Sequence, residues 1–163
     1  MKRIALLLLF VAFSAFADDN EITAENVLRL MNEYRAADGL APLADDERLH
    51  LAAADRMQHM EDESYWSHRS PDGMAPFEWL HRRAYEFRAA GENLAYGFET
   101  ARLLVESWME SRGHRANILS PLYEECGIAI IDGSTTGPAT GKSIVVMFGS
   151  RKPGQPQVAR ASQ

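Results

Sequence analysis

Apolar positions recur at helical spacing in the first half of the chain and at strand-like density in the second. In Ile22–Ala37, Val27, Leu30, Met31 and Tyr34 fall on one helical stripe, with Thr23 placed to cap the start and Gly39 to end the run. After a turn around Pro42, Asp45–Glu61 repeats the pattern through Leu49, Ala53, Met57 and Met60, and Asp45 and Asp46 lie where the positive end of a helix dipole favours acids. Residues 64–75 are rich in Ser, Pro, Asp and Gly and read as a loop; Pro76 then suits the first position of a short third helix carrying Phe77 and Leu80. The stretch Ala89–Gly97 is ambiguous between a short strand and an extended loop. Thr100 opens a further helix with Leu104 and Trp108 on one face, ending at Gly113, and Gly127–Ile131 and Ser143–Phe148 are Ile/Val runs expected to pair as antiparallel strands across the turn-rich Asp132–Lys142. Helices followed by strands, without βαβ alternation, predict an α+β fold in which helices cover an antiparallel sheet.

Composition adds two constraints. The 163 residues are 46% hydrophobic and 25% charged, which fits one globular domain, and the formal net charge of −6 argues against a broad electrostatic grip on nucleic acid or anionic lipid. At the N-terminus, Lys2 and Arg3 precede the apolar run Ile4–Val11, and Ala15-Phe16-Ala17 supplies small residues at the −3 and −1 positions of a cleavage site, so residues 1–17 read as a secretory signal peptide. The run is too short for the roughly 20 residues of a membrane span, and no stable anchor is expected after cleavage. Removing it leaves 15 basic against 23 acidic residues, a net charge of −8. The expected organisation is a signal peptide at 1–17, a domain at 18–151 and a flexible tail at 152–163, in which little apolar surface is available to pack. Export usually accompanies disulfides, yet Cys126 is the single cysteine; its strand-like surroundings predict a buried, inert thiol.

Candidate chemistry concentrates in three places. Of five histidines, His50, His59 and His81 fall within helical runs without the i, i+4 spacing of a shared metal site, whereas His68 and His114 lie in Ser- and Gly-rich contexts read as loops. Glu92, between Gly91 and Asn93, is a carboxylate in similarly tight surroundings. Glu92 and Asn93 could equally brace loops through hydrogen bonds, and for Arg115 and Asn117 that bracing role is the favoured one. Serines flank both histidines, but no G-x-S-x-G turn exposes a nucleophile, and phosphate-loop, dinucleotide and EF-hand patterns are missing from the sequence.

Three ordered motifs carry more: S-H-R-S-P-D-G at Ser67–Gly73, A-G-E-N-L-A at Ala90–Ala95 and W-M-E-S-R-G-H-R-A-N-I-L at Trp108–Leu119. With Asn32, Glu33 and Arg35 in the opening helix and Leu43–Ala53 after it, the chain from 22 to 151 resembles the bacterial secreted branch of the CAP superfamily, also called the SCP domain family. The resemblance implies a three-layer α-β-α sandwich with a small central antiparallel sheet. It also implies a cleft of His and Glu side chains that in some members holds a divalent metal, often zinc. By motif, the metal-binding imidazoles are His68 and His114, and Glu92 is the cofactor-binding carboxylate. A second Glu, expected in eukaryotic relatives three residues after the Trp of the last helix, is Ser111 here; Glu106 and Glu110 are out of register. Two imidazoles and one carboxylate would leave zinc an open position, although Glu92 could orient an imidazole instead of coordinating. The expected function is an exported binding or interaction module, periplasmic or extracellular, for a metal, small ligand or envelope component; the alternative is a metal-dependent envelope hydrolase, with the lipid or sterol binding of some eukaryotic relatives third. Mass spectrometry of the exported protein should find Asp18 as the first residue, and a retained Met1 would refute the signal assignment.

Overall fold

The structure, a computed structural model, describes residues 20–75, 77–133 and 141–159; residues 1–19, on which the expected signal peptide falls, Pro76, residues 134–140 and the last four residues lie outside these. Its elements in chain order are α1 (Ala24–Ala37), β1 (Ala44–Asp45), α2 (Glu47–Asp62), α3 (Glu78–Arg82), β2 (Phe87–Phe98), α4 (Ala101–Glu110), α5 (Arg112–Ile118), β3 (Glu125–Asp132) and β4 (Lys142–Arg151). Capping follows the sequence. The Thr23 and Thr100 hydroxyls accept from Asn26 and Leu103 N–H, and the Asp46 carboxylate accepts from Arg48 N–H at the head of α2.

The strands form one sheet in the order β1-β3-β4-β2, antiparallel along β3-β4, as the Ile/Val pattern predicts, and also along β4-β2, which resolves the ambiguous Ala89–Gly97 stretch as a strand. One edge departs from that expectation. Ala44 and Asp45 pair in parallel with Glu125 and Cys126, because the turn after α1 lays the chain beside β3 before α2 begins. Asn32 fixes that turn, its side chain donating to Leu43 O at 3.0 Å and accepting from Leu43 N at 2.8 Å.

Strand alternation divides the core into two layers, giving an α-β-α sandwich. Ile144, Val146 and Phe148 of β4, with Cys126 and Ile128 of β3, face α1, α4 and α5 through Val27, Leu30, Met31, Leu104, Trp108 and Ile118. Val145 and Met147, with Ala129 and Leu94, face α2 and α3 through Leu49, Ala53, Met57, Met60 and Leu80. Cys126 is fully buried in the first layer, where desolvation pushes its thiol up, so it packs as an inert hydrophobe. The segment after β4, read from the sequence as a flexible tail, touches the domain over its described part. Val158 O accepts from Glu47 N at 2.8 Å, one of the orphan donors at the start of α2, and Arg48 and Arg151 donate to Pro156 O and Gln155 O.

The second layer depends on a very close approach. A Cβ on Gly127 would lie 2.0 Å from His50 N, so α2 rests directly on the β3 backbone, and the His50 ring caps that contact through Nδ1 and Ile128 O at 2.8 Å. Gly127→Ala must push α2 outward and should cost about 3 kcal/mol, the upper end for overpacking, measured as a lowered urea midpoint. An unchanged midpoint would show that α2 has room to move.

Candidate functional site

The central feature of the site is a carboxylate buried between two partners. Glu92 lies on the α2 face of β2, its side chain 2% exposed; Oε2 accepts from Arg56 Nε at 3.0 Å and Oε1 meets His68 Nδ1 at 2.7 Å. Arg56, from α2, is itself 0% exposed; it donates to Ser67 O at 2.6 Å and to the Tyr65 hydroxyl, which also meets His59 Nδ1 at 2.7 Å. One guanidinium thus fixes the carboxylate and the backbone entering His68. The imidazole is pinned through Nδ1 while its side chain remains 56% exposed, which directs the free Nε2 lone pair of its neutral form away from Glu92.

His114 arrives from the opposite layer. The sequence reading placed it in a loop ending the previous helix at Gly113; instead α4 stops at Glu110, Ser111 is extended (ψ 119°), and His114 lies in the first turn of α5. The break reorients the chain so that Ile118 enters the core and His114 lies 6.2 Å, ring to ring, from Trp108. Two asparagines hold α5 against β2. Asn93, fully buried, donates to His114 O at 3.2 Å, and Asn117 donates to Glu92 O at 3.0 Å and Asn93 Oδ1 at 2.8 Å. The bracing role favoured for Asn117 is therefore what its contacts perform, whereas the exposed side chain of Arg115 makes no hydrogen bond or ion pair.

The two imidazoles face different electrostatics. The hydrogen bond from His68 to Glu92 raises its pKa above the ordinary imidazole value, while burial, aided by the charge of nearby His68, lowers that of His114. His68 and His114 are thus brought close enough to interact, as the motifs imply, with Glu92 behind the first of them. Its two oxygens are engaged by Arg56 and His68, which makes it an orienting group in this geometry. Glu106 is not at the site, since it lines a groove of about 190 Å³ between α1 and α4 with Glu33, Tyr34 and Arg102. No group of three potential metal-ligating side chains exists among the described residues. Arg56 escaped the sequence reading because a charged residue on a helix stripe carries no mark of its partner. The signal for it was the break in the apolar pattern of α2, between Ala53 and Met57.

Close packing explains the glycine at the second position of the A-G-E-N-L-A motif: a Cβ on Gly91 would lie 2.5 Å from the Tyr123 hydroxyl, which donates to Ala90 O at 2.9 Å. Arg35 serves the other end of α5, its guanidinium donating to Ile118 O at 2.8 Å, Ser120 O at 2.9 Å and Tyr123 O at 3.1 Å. Motif residues thus converge on one edge strand and the short helix beside it.

This fold and its convergent motifs define an SCP module, and comparison with known proteins gives the family. Residues 28–147 match the model of the cysteine-rich secretory protein family, CAP, and the chain belongs to it. The chain is 36% identical over 111 residues to the protein YkwD of Bacillus subtilis, covering 68% of this chain and 43% of that protein. It therefore spans less than half the length of that curated relative. Among solved structures, an extracellular protein containing an SCP domain from Bacillus anthracis superposes with a TM-score of 0.68 at 28% identity, over 79% of this chain and 40% of that one. An outer surface protein of Borrelia burgdorferi gives 0.67 at 21% identity, over 80% and 97% respectively, a likeness of fold.

Removing one partner of the buried pair strands the other, so Arg56→Ala and Glu92→Ala should each cost about 3–5 kcal/mol. The double substitution Arg56→Met with Glu92→Leu leaves no unpaired charge and should cost less than either single change, as read by urea denaturation. Strictly additive losses would show that the two side chains are not energetically coupled.

Proposed function

We propose that this chain is an exported binding module whose cleft, built on His68 and His114, takes up a divalent metal such as zinc in an exchangeable way. The observation that carries the reading is the Glu92–His68 pair at 2.7 Å, a carboxylate–imidazole arrangement that fixes the tautomer and leaves Nε2 as a donor on an exposed ring. The donor set fits a loosely held ion. Two neutral imidazoles suit zinc or a similar transition metal, and water or a ligand group would complete the coordination, whereas closed structural sites use four protein donors. When bound, such an ion would supply a Lewis-acid contact for a ligand group.

Binding is favoured over hydrolysis by what Glu92 is already doing. A metal hydrolase needs a carboxylate or similar base free to take a proton from water. Here Glu92 is committed to Arg56 and His68, Ser111 occupies the position of the second Glu of eukaryotic relatives, and Glu106 lines a different groove. The extracellular and outer-surface descriptions of the Bacillus anthracis and Borrelia burgdorferi proteins support a place outside the cytoplasm, in the periplasm or beyond the cell. An envelope component is the corresponding partner.

Isothermal titration of zinc into metal-free, untagged protein tests the reading. His68→Ala and His114→Ala should each remove most of the affinity, and the double mutant should lose little more. Glu92→Gln should weaken binding by less than either, about tenfold, as for an outer-shell partner. Protons compete for the same nitrogens, so affinity should fall as pH drops. The fall should begin above the ordinary imidazole value, because His68 takes up its proton there, and continue below it as His114 follows. Unchanged affinity in both single His mutants would place any metal elsewhere and refute the assignment.

A further inference from the structure

The segment that follows β4 is held firmly without being buried. Of residues 152–158 only Gln155 is partly shielded, and Val158 is 38% exposed. Pro153-Gly154 turns the chain back, with Gln155 N reaching Lys152 O at 3.4 Å and Gly154 taking a φ of +90°. Beyond the turn, both ends of the Gln155 amide are used: Oε1 accepts from Glu86 N at 3.1 Å and Nε2 donates to Ala84 O at 3.3 Å. The carbonyls of Gln155 and Pro156 accept from Arg151 Nη1 at 2.7 Å and Arg48 Nη2 at 2.8 Å. Val158 N donates to Asp46 Oδ2 at 3.2 Å, and Val158 O accepts from Glu47 N at 2.8 Å. The segment is thus recognised through its main chain and one amide side chain.

The surface beneath it is fixed by bonds in which the segment takes no part. Arg48 donates to the Asp46 carboxylate from Nε at 3.2 Å and Nη2 at 3.0 Å, and its guanidinium lies 5.1 Å over the Tyr85 ring. Asp46, fully buried, also accepts from Arg48 N at 3.0 Å, and its own N–H donates to Cys126 O at 3.0 Å. Arg151 Nε donates at 2.9 Å to Glu125 Oε2, which also accepts from the buried Tyr85 hydroxyl at 2.8 Å. The groups that hold the segment at α2 and β4 therefore stay aimed when it lifts, a preorganised seat. Hydrogen bonds exchanged against water contribute modestly each, so a segment held by them, with its side chains in solvent, opens locally while the core stays closed.

We propose that this seat is a docking site for an extended Gln-Pro peptide segment, which residues 155–158 occupy in cis and which a like segment of another polypeptide takes in trans. In such recognition the main-chain bonds supply affinity and the side-chain position supplies specificity. The Gln155 amide sets that specificity, because a glutamate there would turn a carboxylate oxygen onto Ala84 O, where a donor is needed. Proline at the next position fixes φ and has no N–H to satisfy, so the extended backbone is partly preformed. The covalent link through Pro153-Gly154 adds effective concentration and none of these contacts, so a free segment competes for the same groups. The seat shares no residue with the Arg56, Glu92 and His68 cluster, and its test is independent of what that cluster binds.

Fluorescence anisotropy of a labelled peptide spanning Lys152–Ala159, titrated with the chain from Asp18 to Gln163, tests this. The pair Gln155→Glu with Val158→Pro in the chain weakens its own segment and leaves the seat untouched. The peptide should bind this variant saturably and at least about tenfold tighter than the unaltered chain, whose own segment competes. Gln155→Glu alone should fall between the two, and it carries the same test if the pair unfolds, as read by circular dichroism. The peptide carrying Gln155→Glu should bind the weakened chain at least about tenfold less tightly, a loss that no change in the protein's own folding can imitate. No saturable binding to a folded variant, binding no tighter than to the unaltered chain, or indifference to Gln155→Glu in the peptide would overturn the proposal.

Discussion

The rest of the site depends on the buried ion pair between Arg56 and Glu92. Desolvating two charges is expensive, and it is tolerated here because each guanidinium nitrogen and each carboxylate oxygen has a partner. Arg56 reaches Glu92, Ser67 O and Tyr65, and Glu92 reaches Arg56 and His68. The pair therefore ties α2 to β2 and, through Ser67, fixes the loop between α2 and α3. Replacing it with apolar groups could preserve the layer packing, but no apolar residue could hold His68 by Nδ1. Packing alone and the placing of His68 diverge at this point, and the polar solution is the one that holds the imidazole.

Much of this was legible in the sequence, and unevenly. The amphipathic helices α1, α2 and α4 and the strands β3 and β4 show because each buries one stripe or alternates between two layers, which is what periodicity reports. Strand β2 was ambiguous because Gly91–Ala95 is buried on both faces, which erases alternation and leaves Gly, Glu and Asn in place of the usual β-branched residues. The break between α4 and α5 left no Pro or Gly at Ser111 to announce it. His68, Glu92 and His114 stood out by their Ser- and Gly-rich contexts, and the motif resemblance joined them, since spacing could not show that residues from two layers meet. The bond from Arg56 to Glu92 and those that tie Pro156 and Val158 to the start of α2 join positions 36 or more apart in sequence, beyond any local pattern.

Why the two imidazoles meet at this edge follows from the needs of an edge strand. β2 pairs only with β4, so the carbonyls on its other side require partners or water. They are taken in turn by side chains of the first layer: Ala90 O by the Tyr123 hydroxyl, Glu92 O by Asn117 and Leu94 O by the Trp108 indole at 3.3 Å. This series closes the edge to another strand and at the same time seats α5, which carries His114. The opposite face of the same strand carries Glu92, which seats His68.

One strand thus presents a polar group to each layer, and the two imidazoles meet because each layer must satisfy it. That arrangement makes the positions of His68 and His114 consequences of backbone accounting rather than of loop conformation. Loops at binding sites ordinarily give up precision for adaptability. Here the imidazole from the loop is pinned by a carboxylate that is itself held at 2% exposure by a buried guanidinium, and the imidazole from the helix is pinned through its own carbonyl by Asn93. What remains free to vary lies outward of these anchors, in Arg69, Arg112, Arg115 and Tyr96, whose side chains contribute little to the core. Exposed side chains around a frame built in this way can be exchanged while the buried groups, and with them the fold, stay as they are.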